Sequence, residues 1–252
     1  MPARETVAAG QHRVGVGVLV PALFLRLVLF AAFQVVVAVL LGLAGTADPW
    51  LSSAAWWPIT ASATSVVTFL FLRRRARVEG FDLASWYRPV RPGVGRDVLL
   101  ALAVAVVGGG LAVAGTIVLA PVLFADPLAA NALLIRPLPL WAALVSILVF
   151  PVTIALTELP LYFGYLQPRL AALSGSAWVG VLASAVFLSV QHATLPLIFD
   201  PAFVAWRALM FLGFALVLGF ALGKRPRLLP YLIVVHFLLD LQAAVSILLV
   251  SL

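Results

Sequence analysis

Residues 141 to 192 read WAALVSILVFPVTIALTELPLYFGYLQPRLAALSGSAWVGVLASAVFLSVQH. Two apolar runs, each long enough to cross a hydrocarbon layer of about 30 Å, flank the turn sequence Ser174-Gly175-Ser176. The spacing predicts an antiparallel pair of membrane helices. Glu158 and His192 each lie 17 residues from Gly175, so such a pair brings them to the same depth. With Arg169 at the membrane surface, Glu158 is 11 residues deeper, or ~16 Å, close to the bilayer midplane.

The rest of the chain repeats this character. Apolar runs of spanning length occupy residues 15 to 44, 51 to 72, 98 to 124, 138 to 173, 177 to 196, 202 to 223 and 228 to 252. The sequence therefore predicts an all-α, polytopic membrane helix bundle of about seven transmembrane helices. Composition agrees: 64% of the 252 residues are hydrophobic and only 10% charged, too few charges to cover a water-soluble domain of this size. The first run is long and carries Arg26, so it reads as a retained helix rather than a cleaved signal.

The net charge of +7 does not point to nucleic acid, because the basic residues sit in short clusters between apolar runs. Arg4 and Arg13 precede the first run. Seven arginines lie between 73 and 96, Arg169 lies near the Ser-Gly-Ser turn, and Lys224, Arg225 and Arg227 precede the last run. The alternate connections carry Asp48, Asp126 with Arg136, and Asp200 with Arg207. By the bias of Lys and Arg toward the cytoplasm, the N-terminus is expected inside and the C-terminus outside. Residues 73–97 form a basic cytoplasmic loop whose Phe81, Trp86 and Tyr87 suit the headgroup level. Small residues at helical spacing, Ala101, Ala105 and Gly109 and again Gly219 and Gly223, predict close helix packing. The usage of 15 Arg to one Lys suggests a GC-rich bacterial genome, hence the bacterial cytoplasmic (inner) membrane.

Ionisable side chains at depth cost several kcal/mol in lipid and call for a functional reason. Besides Glu158 and His192, the last run carries His236 and Asp240, 9 and 13 residues past Arg227, or roughly 14 and 20 Å into the layer. Being four apart, they share a helix face. Pro151, Pro160 and Pro168 interrupt the helix around Glu158, and Pro160 leaves the Leu156 carbonyl without its usual donor. Tyr162 and Tyr165 follow Glu158 at helical spacing.

Residue types narrow the chemistry. The absence of cysteine removes thiol nucleophiles and thiolate metal sites. No His-Glu-x-x-His occurs, and Asp240 is the sole deep aspartate, which removes a carboxylate dyad of two aspartates. Ser184 and Ser189 precede His192 but lack the exposed turn a serine nucleophile needs. What remains is a carboxylate and imidazoles around a cavity, suited to activating water or binding a metal ion. A proton or ion-coupled transporter uses similar residues, but no repeat of the first half appears in the second.

TELPLYFGYLQPRL (157–170), FLSVQH (187–192) and HFLLDLQ (236–242) resemble the three motifs of the CPBP intramembrane metalloproteases, which include CAAX prenyl endopeptidases and bacteriocin-processing or immunity proteins. The family motifs are Glu-Glu-x-x-x-Arg, Phe-x-x-x-His and His-x-x-x-Asn. The resemblance implies a division into residues 1–135, the first three transmembrane helices, and residues 136–252, a CPBP-like catalytic core of four. It also implies an intramembrane endopeptidase acting on a membrane-embedded or lipidated peptide, with Glu158, His192, His236 and Asp240 as catalytic residues and as ligands of a divalent metal such as zinc, a metal-free mechanism being the alternative. Leu159 replaces the second Glu, Phe163 the Arg, Leu188 the Phe and Asp240 the Asn. The loss of the Glu and Arg leaves a catalytically inactive scaffold or immunity-type protein as the alternative.

Overall fold

The structure is a computed structural model that describes residues 15–252; Arg4 and Arg13 lie outside the described residues. Eleven α-helices and no strand occur among them. They are α1 (Val16–Leu43), α2 (Pro49–Ala54), α3 (Trp57–Glu79), α4 (Val94–Leu123), α5 (Pro127–Leu134), α6 (Leu140–Ala155), α7 (Gln167–Ser174), α8 (Ala177–Val190), α9 (Pro201–Leu209), α10 (Leu212–Lys224) and α11 (Leu229–Ser251). Six stretches are long and apolar enough to cross a membrane: α1, α4, Leu140–Ser174, Ala177–Thr194, Pro201–Lys224 and Pro226–Ser251. The chain is an integral membrane protein.

The seventh expected span, at 51 to 72, is the exception. Its residues divide between α2 and α3, and α3 does not reach the apolar composition of the other six. There are two physical reasons: the helix ends in Arg73, Arg74, Arg75, Arg77 and Glu79, and on its packing face Thr60, Ser62, Thr64, Ser65 and Thr68 are buried. Several of these hydroxyls turn back onto their own helix, Ser62 donating to the Pro58 carbonyl at 2.8 Å and Thr68 to that of Thr64 at 2.8 Å. Small polar residues let α3 approach α1 and α6 closely while hiding their polarity from lipid. Helix α3 thus has the length of a span, with its polar face turned into the protein.

Helix α1 shows the same economy. Its buried residues Leu19, Ala22, Leu23, Arg26, Phe30 and Gln34 recur every three or four positions, so a single face meets the bundle. That face delivers Arg26 to the interior. At its far end the Gln34 side chain clamps Leu197, donating to the carbonyl at 2.8 Å and accepting from the amide at 2.7 Å.

The connections expected outside begin their helices in one way. Asp48, Asp126 and Asp200 cap α2, α5 and α9 by accepting from the amides of Leu51, Leu128 and Phe203, and each is followed by proline at the first helical position. Toward the arginine-rich end, Glu79 accepts from Arg75, Arg169 and Tyr165, while Asp97 accepts from Arg225 and Arg227. Segment 73–97 is more structured than a basic loop. Helix α3 runs through its first arginines to Glu79, a short 3-10 helix covers Leu83–Tyr87, and the Phe81 and Trp86 rings stack 5.0 Å apart against the core.

Glycine packing follows the expected faces with one shift of register. Gly219 and Gly223 face Phe163, Val181 and Gln167 within the bundle. In α4 the close approach is at Gly108, where an added Cβ would stand 2.7 Å from Phe214, whereas Gly109 meets open space.

Candidate active site

Helix α6 ends at Ala155, and the chain continues through Thr157 and Glu158 into a π-helical segment, Pro160–Leu166, before α7. Pro160 cannot donate to the Leu156 carbonyl, and the structure supplies another donor. The Tyr87 hydroxyl binds that carbonyl at 2.8 Å, its phenol pushed by burial up to about 12. The break therefore faces protein. The altered helical pitch also separates the two tyrosines: Tyr162 donates to Gln191 at 3.2 Å, and Tyr165 to Glu79 at 2.7 Å.

The break holds Glu158 inside the bundle, 2% exposed. Gly175, at φ +70°, turns α7 into α8, which carries His192 back to the same cavity. From α11, His236 places Nε2 3.2 Å from Glu158 Oε1 and 3.5 Å from Asp240 Oδ2, one helical turn away. Glu158, His192, His236 and Asp240 all line one cavity of about 340 Å³. The hairpin register and the shared face on the last helix, both read from spacing, thus bring four residues of three segments together. His192 is the least tied to the others. Its Nδ1 lies 2.9 Å from the Leu188 carbonyl, and its ring lies 4.6 Å from that of Phe211.

The sequence reading did not place Arg26 in the site. This fully buried side chain on α1 donates to Glu158 Oε2 at 3.1 Å, Gln191 at 2.8 Å, Thr157 at 3.2 Å and Ser65 at 3.4 Å. It neutralises the Glu158 carboxylate and, through Gln191, joins it to the residue beside His192. The charge in the first run was a signal for this role, since a cation at depth needs an anion. No spacing rule links it to a glutamate 132 residues away. Leu159 and Phe163, where the motif has Glu and Arg, are buried in the apolar core. The positive charge beside Glu158 comes instead from the first helix.

Hydrogen bonding at the cavity is incomplete. Glu158 Oε1, Asp240 Oδ2 and both ring nitrogens of His236 are buried without a hydrogen-bond partner. Glu158 Oε1 and Asp240 Oδ2 lie 3.2 and 3.5 Å from His236 Nε2, contacts that become ion pairs when the imidazole is protonated. Unsatisfied polar atoms are costly in an apolar interior and mark where water or a ligand is bound. The donor set does not fit a divalent ion as placed. Among the described residues no three His, Asp or Glu side chains form a group that could hold one, and a guanidinium already occupies one oxygen of Glu158.

The sequence model of the family of type II CAAX prenyl endopeptidases, Rce1-like, matches residues 139–242. The matched segment contains Glu158, His192, His236 and Asp240 and excludes Arg26. No curated protein and no solved structure matches the chain. The match spans the residues that carry the three motifs and agrees with them.

Proposed function

We propose that the protein is an intramembrane endopeptidase that hydrolyses a peptide bond in the 340 Å³ cavity, with Glu158 and His192 activating the water. The observation that carries this reading is the group of unpartnered buried atoms, Glu158 Oε1, His236 Nδ1 and Nε2, and Asp240 Oδ2, beside His192.

The Leu188 carbonyl only accepts, so His192 Nδ1 bears the proton and a neutral ring keeps its Nε2 lone pair for a water. Glu158 Oε1, free of Arg26, accepts the water proton as the oxygen adds to the scissile carbonyl. The proton then passes to the departing amine nitrogen, so one water is consumed and one peptide bond broken. His236, flanked by two carboxylates, is placed to donate to the carbonyl oxygen as negative charge develops there. Arg26 positions Glu158 without touching substrate. The substrate is membrane-embedded or lipid-anchored, since most of the cavity wall is apolar. No step uses a metal ion.

A second reading, a binding protein without turnover, is favoured by the apolar residues at positions 159 and 163. Purified protein in lipid nanodiscs, incubated with membrane proteins from a strain lacking it, separates the two. New peptide termini that appear with the wild-type protein support hydrolysis. Retention of a peptide without any new terminus supports the binder.

A further inference from the structure

Arg207, on α9, is 3% exposed and lines the same cavity as Glu158 and His192. A guanidinium carries five N–H donors and, at neutral pH, a full charge. Here Nε and Nη2 both point at a single acceptor, the Leu195 carbonyl, at 3.2 and 2.6 Å, and Nη1 meets the sulfur of Met210 at 3.3 Å. Two N–H bonds are left over. Among the described residues no carboxylate lies within ion-pair distance of it: Glu158 is held by Arg26, and Asp200 caps its own helix. Every other acid of the described chain outside the cavity likewise has a cap or an arginine to satisfy it. One carbonyl and one thioether do not neutralise a buried cation, and a cation at depth in a membrane protein calls for an anion.

Its location says where that anion comes from. The Arg207 guanidinium carbon lies 5.7 Å from the centre of the Phe211 ring, and the His192 ring lies 4.6 Å from that same centre, tilted by 51°. The sum of those distances, about 10 Å, bounds the gap between guanidinium and imidazole and spans only a few residues of extended chain. We infer that Arg207 is a specificity-determining residue of this site and binds a carboxylate of the peptide, close in sequence to the scissile bond, by a charge-assisted pair of hydrogen bonds. The inference rests on the reading that the cavity takes a peptide, but not on turnover.

Binding of an N-acetylated pentapeptide of leucine and alanine to the full protein in nanodiscs tests it by calorimetry. The peptide is used as the free acid, as the C-terminal amide, and as the amide with glutamate in the last position. The free acid is expected to bind at least tenfold more tightly than the amide, and the glutamate peptide reports whether a side-chain carboxylate serves as well. Arg207→Met should abolish the preference without lowering thermal stability, because it removes an uncompensated buried charge. Arg207→Lys should keep a weakened preference. If Arg207→Met does not fold, Arg207→Gln removes the charge while retaining a donor for Leu195. Equal affinity for all three peptides, or a preference surviving in Arg207→Met or Arg207→Gln, overturns the inference, as does an unstable Arg207→Met that still prefers the acid. Glu158→Gln should keep the preference, and a wild-type protein that discriminates acids yet cleaves nothing refutes the hydrolytic reading and leaves this one standing.

Discussion

Two buried charges, Arg26 and Glu158, decide how the interior is held and what it can do. Each would be prohibitively costly alone, and together they form a pair 3.1 Å apart, with three of the four other N–H bonds of Arg26 directed to named oxygens. Removing one partner leaves the other unpaired, so Arg26→Met should destabilise the protein by about 3 to 5 kcal/mol. The double variant Arg26→Met with Glu158→Leu should recover most of that loss, because an apolar pair of similar volume is tolerated. Unfolding in mixed micelles monitored by circular dichroism measures both; a single variant as stable as wild type contradicts the pairing. Glu158, His236 and Asp240 were legible in the sequence because each is ionisable, deep and at a countable distance from a turn or surface arginine. Arg26 was visible as an anomaly but not as a partner, since contacts between distant helices leave no periodic trace.

Helices are where sequence patterns were most and least informative. Apolar length placed the spans within a few residues, because every backbone group in lipid must be satisfied within a helix. Polarity hidden in packing was misleading: α3 reads as one more apolar run, yet its Ser and Thr face and the arginines of its last turns pull it below the hydropathy of the others. Nor does any spacing announce the π-helical segment after Pro160 or the Tyr87 hydroxyl that completes it. The glycine contacts give an element-scale prediction. A Cβ at Gly180 would stand 2.5 Å from the Gln167 carbonyl oxygen, a backbone atom that cannot swing aside. Gly180→Ala should therefore force α7 and α8 apart and cost about 1 to 3 kcal/mol. At Gly109, which faces open space, alanine should be neutral or slightly stabilising. A Gly180→Ala protein that unfolds together with wild type would show that the hairpin is not packed this way.

For the whole molecule, the arginine-rich connections gather at one end. Ser85, Ala177, Lys224 and Arg227 line one pocket there, whereas the Asp-Pro caps start helices in the alternate connections. We propose that the arginine end faces the cytoplasm. The chain has no cysteine, so single substitutions report cleanly. Cys at Ser85 or Ser174 should react with a membrane-impermeant thiol reagent only in inside-out vesicles, and Cys at Ala125 only in intact cells with a permeable outer layer. Labelling of all three from one side contradicts the topology. The proposed function turns on Glu158 as the base that activates water. The most direct measurement is the cleavage rate of a peptide found to be processed by the wild-type protein in nanodiscs, compared with Glu158→Gln at equal folded concentration. Glutamine keeps the volume and a hydrogen-bonding group but cannot take a proton, so the rate should fall at least about a hundredfold while binding persists. His192→Ala should fall similarly, and the double variant little further, because the two act on one water. Wild-type rates in Glu158→Gln would contradict the mechanism outright.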